Sequence, residues 1–157
     1  MGMLDGVKVL DFTHAYAGPF CTMTMADFGA QVIKIEKVSG GDQARGWGPF
    51  KNGYSGYYAS FNRGKQSLPL DLRAPEAKEI IRRLIAESDI ICSNFKAGTL
   101  EKMGFSYEEV RKIKPDIIYA ELSGFGNKGA LSAYAAYDNV MQAVSGVMDL
   151  NGFPDGV

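Results

Sequence analysis

Apolar and polar positions fall into alternating blocks along the chain, and the first block is the most regular. Val7, Val9, Leu10 and Phe12 form a short, β-branched-rich run of the kind a buried strand shows. Thr13 and His14 interrupt it, and Gly18-Pro19 sets a proline near a helix start, where its missing N–H costs little. The helical pattern runs to about Phe28, Gly29 ends it, and Val32, Ile33 and Ile35 make the next strand, closed by Glu36. A strand–helix–strand unit with this crossover length forces a parallel pair. Ligands of such sheets sit at the carboxyl ends of the strands, here residues 13–18 and 36–42.

The alternation continues downstream. Residues 40–56 (GGDQARGWGPFKNGYSG) are rich in glycine and aromatics, too long for a simple connection, and are expected to form a functional or lid-like loop. Residues 67–72 read as a strand, and Asp71 is expected to cap a helix over 74–87 with Pro75 in its first turn. Ile80, Ile81, Leu84 and Ile85 recur in that helix at core-facing spacing. A strand at 89–92, a helical turn at 100–103 and a helix opened by Ser106 follow, with Glu109 three residues on as in a capping box. Pro115 stops this helix, 117–122 is another strand, and after a loop at 123–133 a helix capped by Asp138 is expected to run to Met148. The pattern predicts one α/β domain with a Rossmann-like parallel sheet and flanking helices.

Composition narrows the function classes. At 157 residues and 46% hydrophobic the chain can bury one core. A net charge of −1 from 17 basic and 18 acidic residues argues against a nucleic-acid partner. No apolar run has the length of a membrane span, and the N-terminus lacks a signal-peptide pattern. Cys21 and Cys92, only two and far apart, fit reduced thiols in a cytoplasmic protein, with Cys21 expected in the core of the first helix. Residues 124–129 match GxGxxG after a strand, but the next helical pattern opens about ten residues later, so a loop is expected rather than a dinucleotide site. No metal site is expected.

Seven segments, in order, resemble the N-terminal part of the family III CoA-transferases, the group that includes formyl-CoA and carnitine CoA-transferases. They are LDGVKVLDFTHAYAGPF, DFGAQVIKIE, GDQARGW, FNRGKQSLPLDLR, SNFKAGTLEKMGFSYE, PDIIYAELSGFG and AYDNVMQAVSG. The resemblance implies transfer of CoA from an acyl-CoA to a small free carboxylic acid, with CoA as part of the substrate and no permanently bound cofactor. It implies an aspartate nucleophile that forms an acyl anhydride and then an aspartyl-CoA thioester. The matching aspartate would lie beyond Val157; Asp138, Asp149 and Asp155 are not at its position. Family members are longer, with a second small domain, a C-terminal return and interlocked homodimers. Residues 1–157 are therefore expected to be the N-terminal part of the large CoA-binding domain, inactive alone and prone to self-association through exposed apolar surface.

The same resemblance implies site residues. His14, Ala15, Tyr16 and Ala17 match the elbow that packs the pantetheine end, with Tyr16 where formyl-CoA transferase has glutamine. Lys37, Leu70 and Arg73 match positions at the CoA nucleotide. Asn94, Phe95, Lys96, Ala97, Gly98 and Thr99 match the loop around it, followed by Lys102 and Met103. Trp47 and Tyr137 match an aromatic near the acyl pocket and an active-site tyrosine. Lysine and arginine suit phosphates, and apolar or aromatic faces suit adenine. Without the resemblance His14 reads first as a structural hydrogen-bonder, and the lysines and arginine as solvated surface charges. Two other readings stay open. One is a relative of α-methylacyl-CoA racemase, although those enzymes carry a histidine where Tyr137 stands. The other is a non-catalytic CoA-binding or interaction module.

Overall fold

The computed structural model describes residues 1–152. Strand β1 (Lys8–Asp11) leads through an elbow into helix α1 (Ala17–Asp27) and back to β2 (Gln31–Glu36). A 3₁₀ turn (Gln43–Gly46), a hairpin of β3 (Phe50–Lys51) and β4 (Tyr54–Ser55), and helix α2 (Gly56–Asn62) precede β5 (Lys65–Pro69). Helix α3 (Pro75–Glu87), β6 (Ile90–Ser93), α4 (Thr99–Lys102), α5 (Tyr107–Ile113) and β7 (Ile118–Glu121) follow, and α6 (Asp138–Val144) and α7 (Val147–Leu150) end the described chain.

Five strands form one parallel sheet in the order β5-β2-β1-β6-β7. The chain works outward from β1 to β5, then returns to the other side of β1 to build β6 and β7. The order therefore reverses between β1 and β6, which opens a crevice above their carboxyl ends. Both faces are covered over the central strands β1, β2 and β6, while the edge strands β5 and β7 bury no residue. Leu10, Phe12, Ile35, Ile91, Ile81 and Ile85 join Leu100, Phe105 and Val110 in the main core, while Val9, Val32, Ala30 and Cys92 form a smaller cluster. Ile81 and Ile85 are fully buried, each contributing about 1.5–3 kcal/mol of apolar transfer.

The strands and helices expected from periodicity are present, and the departures have local causes. Residues 40–56 are not one loop: Asn52 and Gly53 both take positive φ (52° and 80°), the geometry of a tight two-residue hairpin turn, and asparagine–glycine accepts it readily. Helix α2 was not anticipated; Ser55 caps it by accepting from Tyr58 N (3.0 Å). Asp71 does not cap α3: its carboxylate accepts from Arg73 N (3.1 Å) in a local turn, and Ala74 is the cap residue. Ser106 does cap α5 (3.3 Å to Glu109 N), while the Glu109 carboxylate turns to Lys112. Ile80 is exposed, since the buried stripe of α3 runs through Ala77, Ile81 and Ile85. Cys21 is half-buried rather than in the core.

The expected last helix is two. Gly146, at φ 79°, breaks it into α6 and α7, and Asp138 is the first helical residue with its carboxylate on Gln142, not the cap. Residues 124–129 form a loop, as expected. Neither α6 nor α7 buries a residue, and Val140, Val144, Val147, Met148 and Leu150 stand exposed.

Candidate functional site

A cavity of about 610 Å³ opens at the carboxyl ends of β1, β2 and β5, in the region the first strand–helix–strand unit predicts. One wall is the β1 elbow, Phe12, Thr13 and His14; the opposite wall is Leu70, Asp71, Leu72 and Arg73 after β5. Between them run Glu36, Lys37, Val38, Ser39, Gly41, Asp42 and Gln43, with Phe95 and Met103 closing the β6 side. The lining is thus apolar toward the sheet (Phe12, Ile35, Leu70, Phe95, Met103), with exposed cations, Lys37 and Arg73, at the mouth. Arg73 is held beside Asp71 (Nε to Oδ1 3.1 Å) but remains almost fully solvated.

The elbow has little freedom. Asn94 clasps residue 14 at both backbone atoms: His14 N donates to Asn94 Oδ1 (2.8 Å), and Asn94 Nδ2 donates to the His14 carbonyl (2.7 Å). The His14 ring lies against Phe95, with centroids 5.3 Å apart. Burial lowers the His14 pKa; the Asp42 carboxylate opposes this, and the Lys34 and Lys37 charges reinforce it. The balance favours the neutral imidazole. Ala15 follows with φ 66°, a left-handed backbone that costs an alanine strain. Gly18 lets α1 approach: a Cβ there would lie 2.4 Å from Thr13 Cβ and 3.1 Å from Asn94 Cγ.

Beneath this wall lies a network of buried charges. Asp11 accepts from Thr13 N (2.7 Å) and Thr22 Oγ1 (2.7 Å) and pairs with Lys65 Nζ (3.1 Å). Lys34, fully buried in the middle of β2, donates to the Thr13 carbonyl (2.6 Å) and pairs with Asp42 Oδ2 (3.0 Å). Asp42 Oδ1 accepts from Ala15 N (3.1 Å) and Ala44 N (3.0 Å). Glu36 binds Arg45 through two contacts (2.9 and 2.6 Å), Ser67 Oγ (2.5 Å), Tyr58 OH (3.0 Å) and Asp42 N (2.7 Å). Burial alone would raise the Glu36 pKa, but the donors from Arg45, Ser67 and the Asp42 backbone win and hold it at about 2. Asp11, Glu36 and Asp42 thus each accept from protein donors, although Asp42 Oδ2 meets only the Lys34 charge and receives no well-aligned hydrogen bond.

The structure brings some of the expected site residues together and leaves others apart. His14, Lys37, Leu70, Arg73, Phe95 and Met103 line the cavity, with Asn94 directly behind His14. Lys96, Ala97, Gly98, Thr99 and Lys102 belong to the adjoining loop and α4 and do not line it. Tyr16, half-exposed, packs its ring edge-on against Phe61 (4.8 Å) at the start of α1, next to Ala17. Trp47 meets Tyr57 (5.2 Å) outside the cavity, and Tyr137 stands exposed at the start of α6. Asp155 lies outside the described residues. Sequence reasoning missed Lys34 and the role of Asp42; the available signal was a lysine inside the apolar run VIKIE, a position a doubly covered strand seldom gives to a charge.

The chain is 44% identical to an acetyl-CoA:oxalate CoA-transferase of Acetobacter aceti over 99% of its length and 40% of that protein. It is 43% identical to a mouse (Mus musculus) succinyl-CoA:glutarate CoA-transferase, again over 99% of its length but 36% of the relative. The crystal structure of a CAIB/BAIF family protein from Brucella suis superposes with a TM-score of 0.92 at 42% identity, covering 98% of this chain and 42% of that one. The chain thus spans roughly two-fifths of the length of the relatives it matches. Among the described residues no helix is long and apolar enough to cross a membrane. The family model for CoA-transferase family III matches residues 4–157, and the chain belongs to that family.

Proposed function

We propose that the cavity takes the CoA portion of an acyl-CoA, and that the chain forms the CoA-binding part of an enzyme moving CoA from a thioester to a free carboxylic acid. The observation that carries this reading is the cavity's lining: Lys37 and Arg73 at the mouth for phosphates, and Ile35, Leu70, Phe95 and Met103 within for an adenine or pantetheine. The relatives named above act on acetyl-CoA with oxalate and on succinyl-CoA with glutarate.

In the proposed reaction an aspartate oxygen attacks the thioester carbon, the C–S bond breaks, and CoA leaves as thiolate, with a mixed acyl–aspartyl anhydride left behind. The thiolate then attacks the aspartyl carbonyl, releasing the donor acid and leaving aspartyl-CoA. The acceptor carboxylate repeats the sequence in reverse. Asp11, Glu36 and Asp42 are engaged by lysine, arginine and backbone donors, so none is assigned the nucleophile's role. The elbow carrying His14 forms one wall near the reacting end. Calorimetric titration of the chain with CoA tests the binding half. Binding at about 10⁻⁵–10⁻³ M is expected, weakened several-fold by Lys37→Glu. No heat at millimolar CoA, or an unaffected Lys37→Glu variant, would refute this reading.

A further inference from the structure

Residue 42 lies in the loop after β2, yet its carboxylate reaches across to the β1 elbow. Asp42 Oδ1 holds Ala15 N at 3.1 Å and Ala44 N at 3.0 Å, while Oδ2 sits 3.0 Å from a lysine with no solvent exposure. That lysine in turn holds the carbonyl of Thr13 at 2.6 Å. Residues 13 and 15 of the elbow are therefore gripped by one buried ion pair, and residue 14 by the Asn94 clasp. Within the gripped segment Ala15 sits at φ 66°, where an alanine stays only if its surroundings hold it.

We infer that Asp42, oriented by Lys34, is a positioning residue: it holds Ala15 in the left-handed conformation and so fixes how the elbow faces the cavity. The inference deepens the proposed function and rests on the cavity being a CoA site. The pair also joins the elbow wall to the segment that runs between the two walls. Asp42 belongs to the segment carrying Lys37 and Ser39, and Thr13 to the segment carrying His14, so a ligand that orders one segment acts on the other through this contact. Asp42 needs only its acceptor oxygen to hold Ala15. Lys34 supplies the charge that keeps the carboxylate buried and correctly turned.

Two pairs of variants test it. In Lys34→Met/Asp42→Asn the acceptor stays and no charge is left buried alone; in Lys34→Met/Asp42→Ala the acceptor is lost. The first pair member should bind CoA about tenfold more tightly than the second, the cost of a strained backbone left unheld. Amide hydrogen exchange at Ala15 should be slow in the wild type and the asparagine form and fast in the alanine form. Ala15→Asn and Ala15→Val leave the network intact and add similar bulk, but asparagine accepts left-handed backbone and valine resists it. Ala15→Asn should therefore bind CoA about tenfold more tightly than Ala15→Val, and this pair decides the matter if the alanine form fails to fold. Equal affinities within both pairs, or an Ala15 amide still protected without Asp42, overturn the inference. Absence of CoA binding by the wild type instead removes the functional reading, and exchange at Ala15 then decides alone whether Asp42 holds the elbow.

Discussion

The clearest test of the buried network is Glu36→Gln. Glu36 is 5% exposed and accepts from Arg45, Tyr58, Ser67 and the Asp42 backbone, which brings its pKa from 4.5 to about 2. A drop of that size corresponds to about 3 kcal/mol of preference for the ionised, folded form. The Arg45 side chain is 41% exposed, so solvent screens part of this, and about 2–3 kcal/mol is the expected contribution at pH 7. Glutamine would lose the charge and turn an NH₂ group toward side chains that are already donating.

The pH dependence has a fixed sign. The folded pKa lies below the unfolded one, so the stabilisation is complete above about pH 4.5 and is lost as pH falls toward 2. In that window the unfolded chain binds a proton that the folded chain does not, and this group steepens the fall by up to about 1.4 kcal/mol per pH unit. Urea unfolding from pH 3 to pH 7, followed by Trp47 fluorescence and circular dichroism, measures both effects. The wild type should exceed Glu36→Gln by about 2–3 kcal/mol at pH 7, with the gap narrowing steadily below pH 4. Equal stability at pH 7, or parallel curves down to pH 3, would show that the Glu36 contacts do not hold the carboxylate as described.

Three other outcomes are expected. Gly18→Ala puts a methyl group 2.4 Å from Thr13 Cβ, so it should cost about 1–3 kcal/mol and lower the melting temperature; an unchanged melt would mean that α1 shifts freely. The Cys92 thiol is buried and pushed up to about 12, chiefly by burial, whereas Cys21 is half-buried; iodoacetamide at pH 8 should label Cys21 first, and preferential labelling of Cys92 by mass spectrometry would contradict the packing. The exposed apolar side chains of α6 and α7 should make the chain self-associate as concentration rises; sedimentation velocity should show this, and Val144→Lys with Leu150→Lys should reduce it, while a monodisperse wild-type monomer would oppose it.

Much of the fold was legible because its signals are local. The β1–α1–β2 unit follows from an apolar run, a Gly-Pro start and a Gly29 stop, and the parallel sheet follows from its crossover. The capping role of Ser106 needed only three neighbouring residues. Errors arose where two local readings competed: Asn52-Gly53 sat inside a glycine-rich stretch read as loop, and Asp71 had a turn of its own to satisfy before it could cap a helix. The cavity-lining candidates came only from the family resemblance, since exposed residues such as Lys37 and Arg73 carry no periodic signal.

The buried pairs were out of reach for a different reason. Lys34 depends on the Thr13 carbonyl 21 residues upstream and on Asp42 beyond the end of its own strand, contacts that exist only after β1 and β2 pair. Two buried lysine–aspartate pairs, Lys34–Asp42 and Lys65–Asp11, lie side by side beneath one elbow. Desolvation makes such pairs weak contributors to stability, and apolar residues of the same size would often serve the core as well. Stability alone therefore gives little reason for both pairs to sit here. Geometry gives one: together they hold the backbone of residues 13 and 15, the carbonyl of Pro19 and the hydroxyl of Thr22, which is the whole path from β1 into α1. The charges are placed where a chain must make a strained turn and hold it, and that turn is the wall of the cavity.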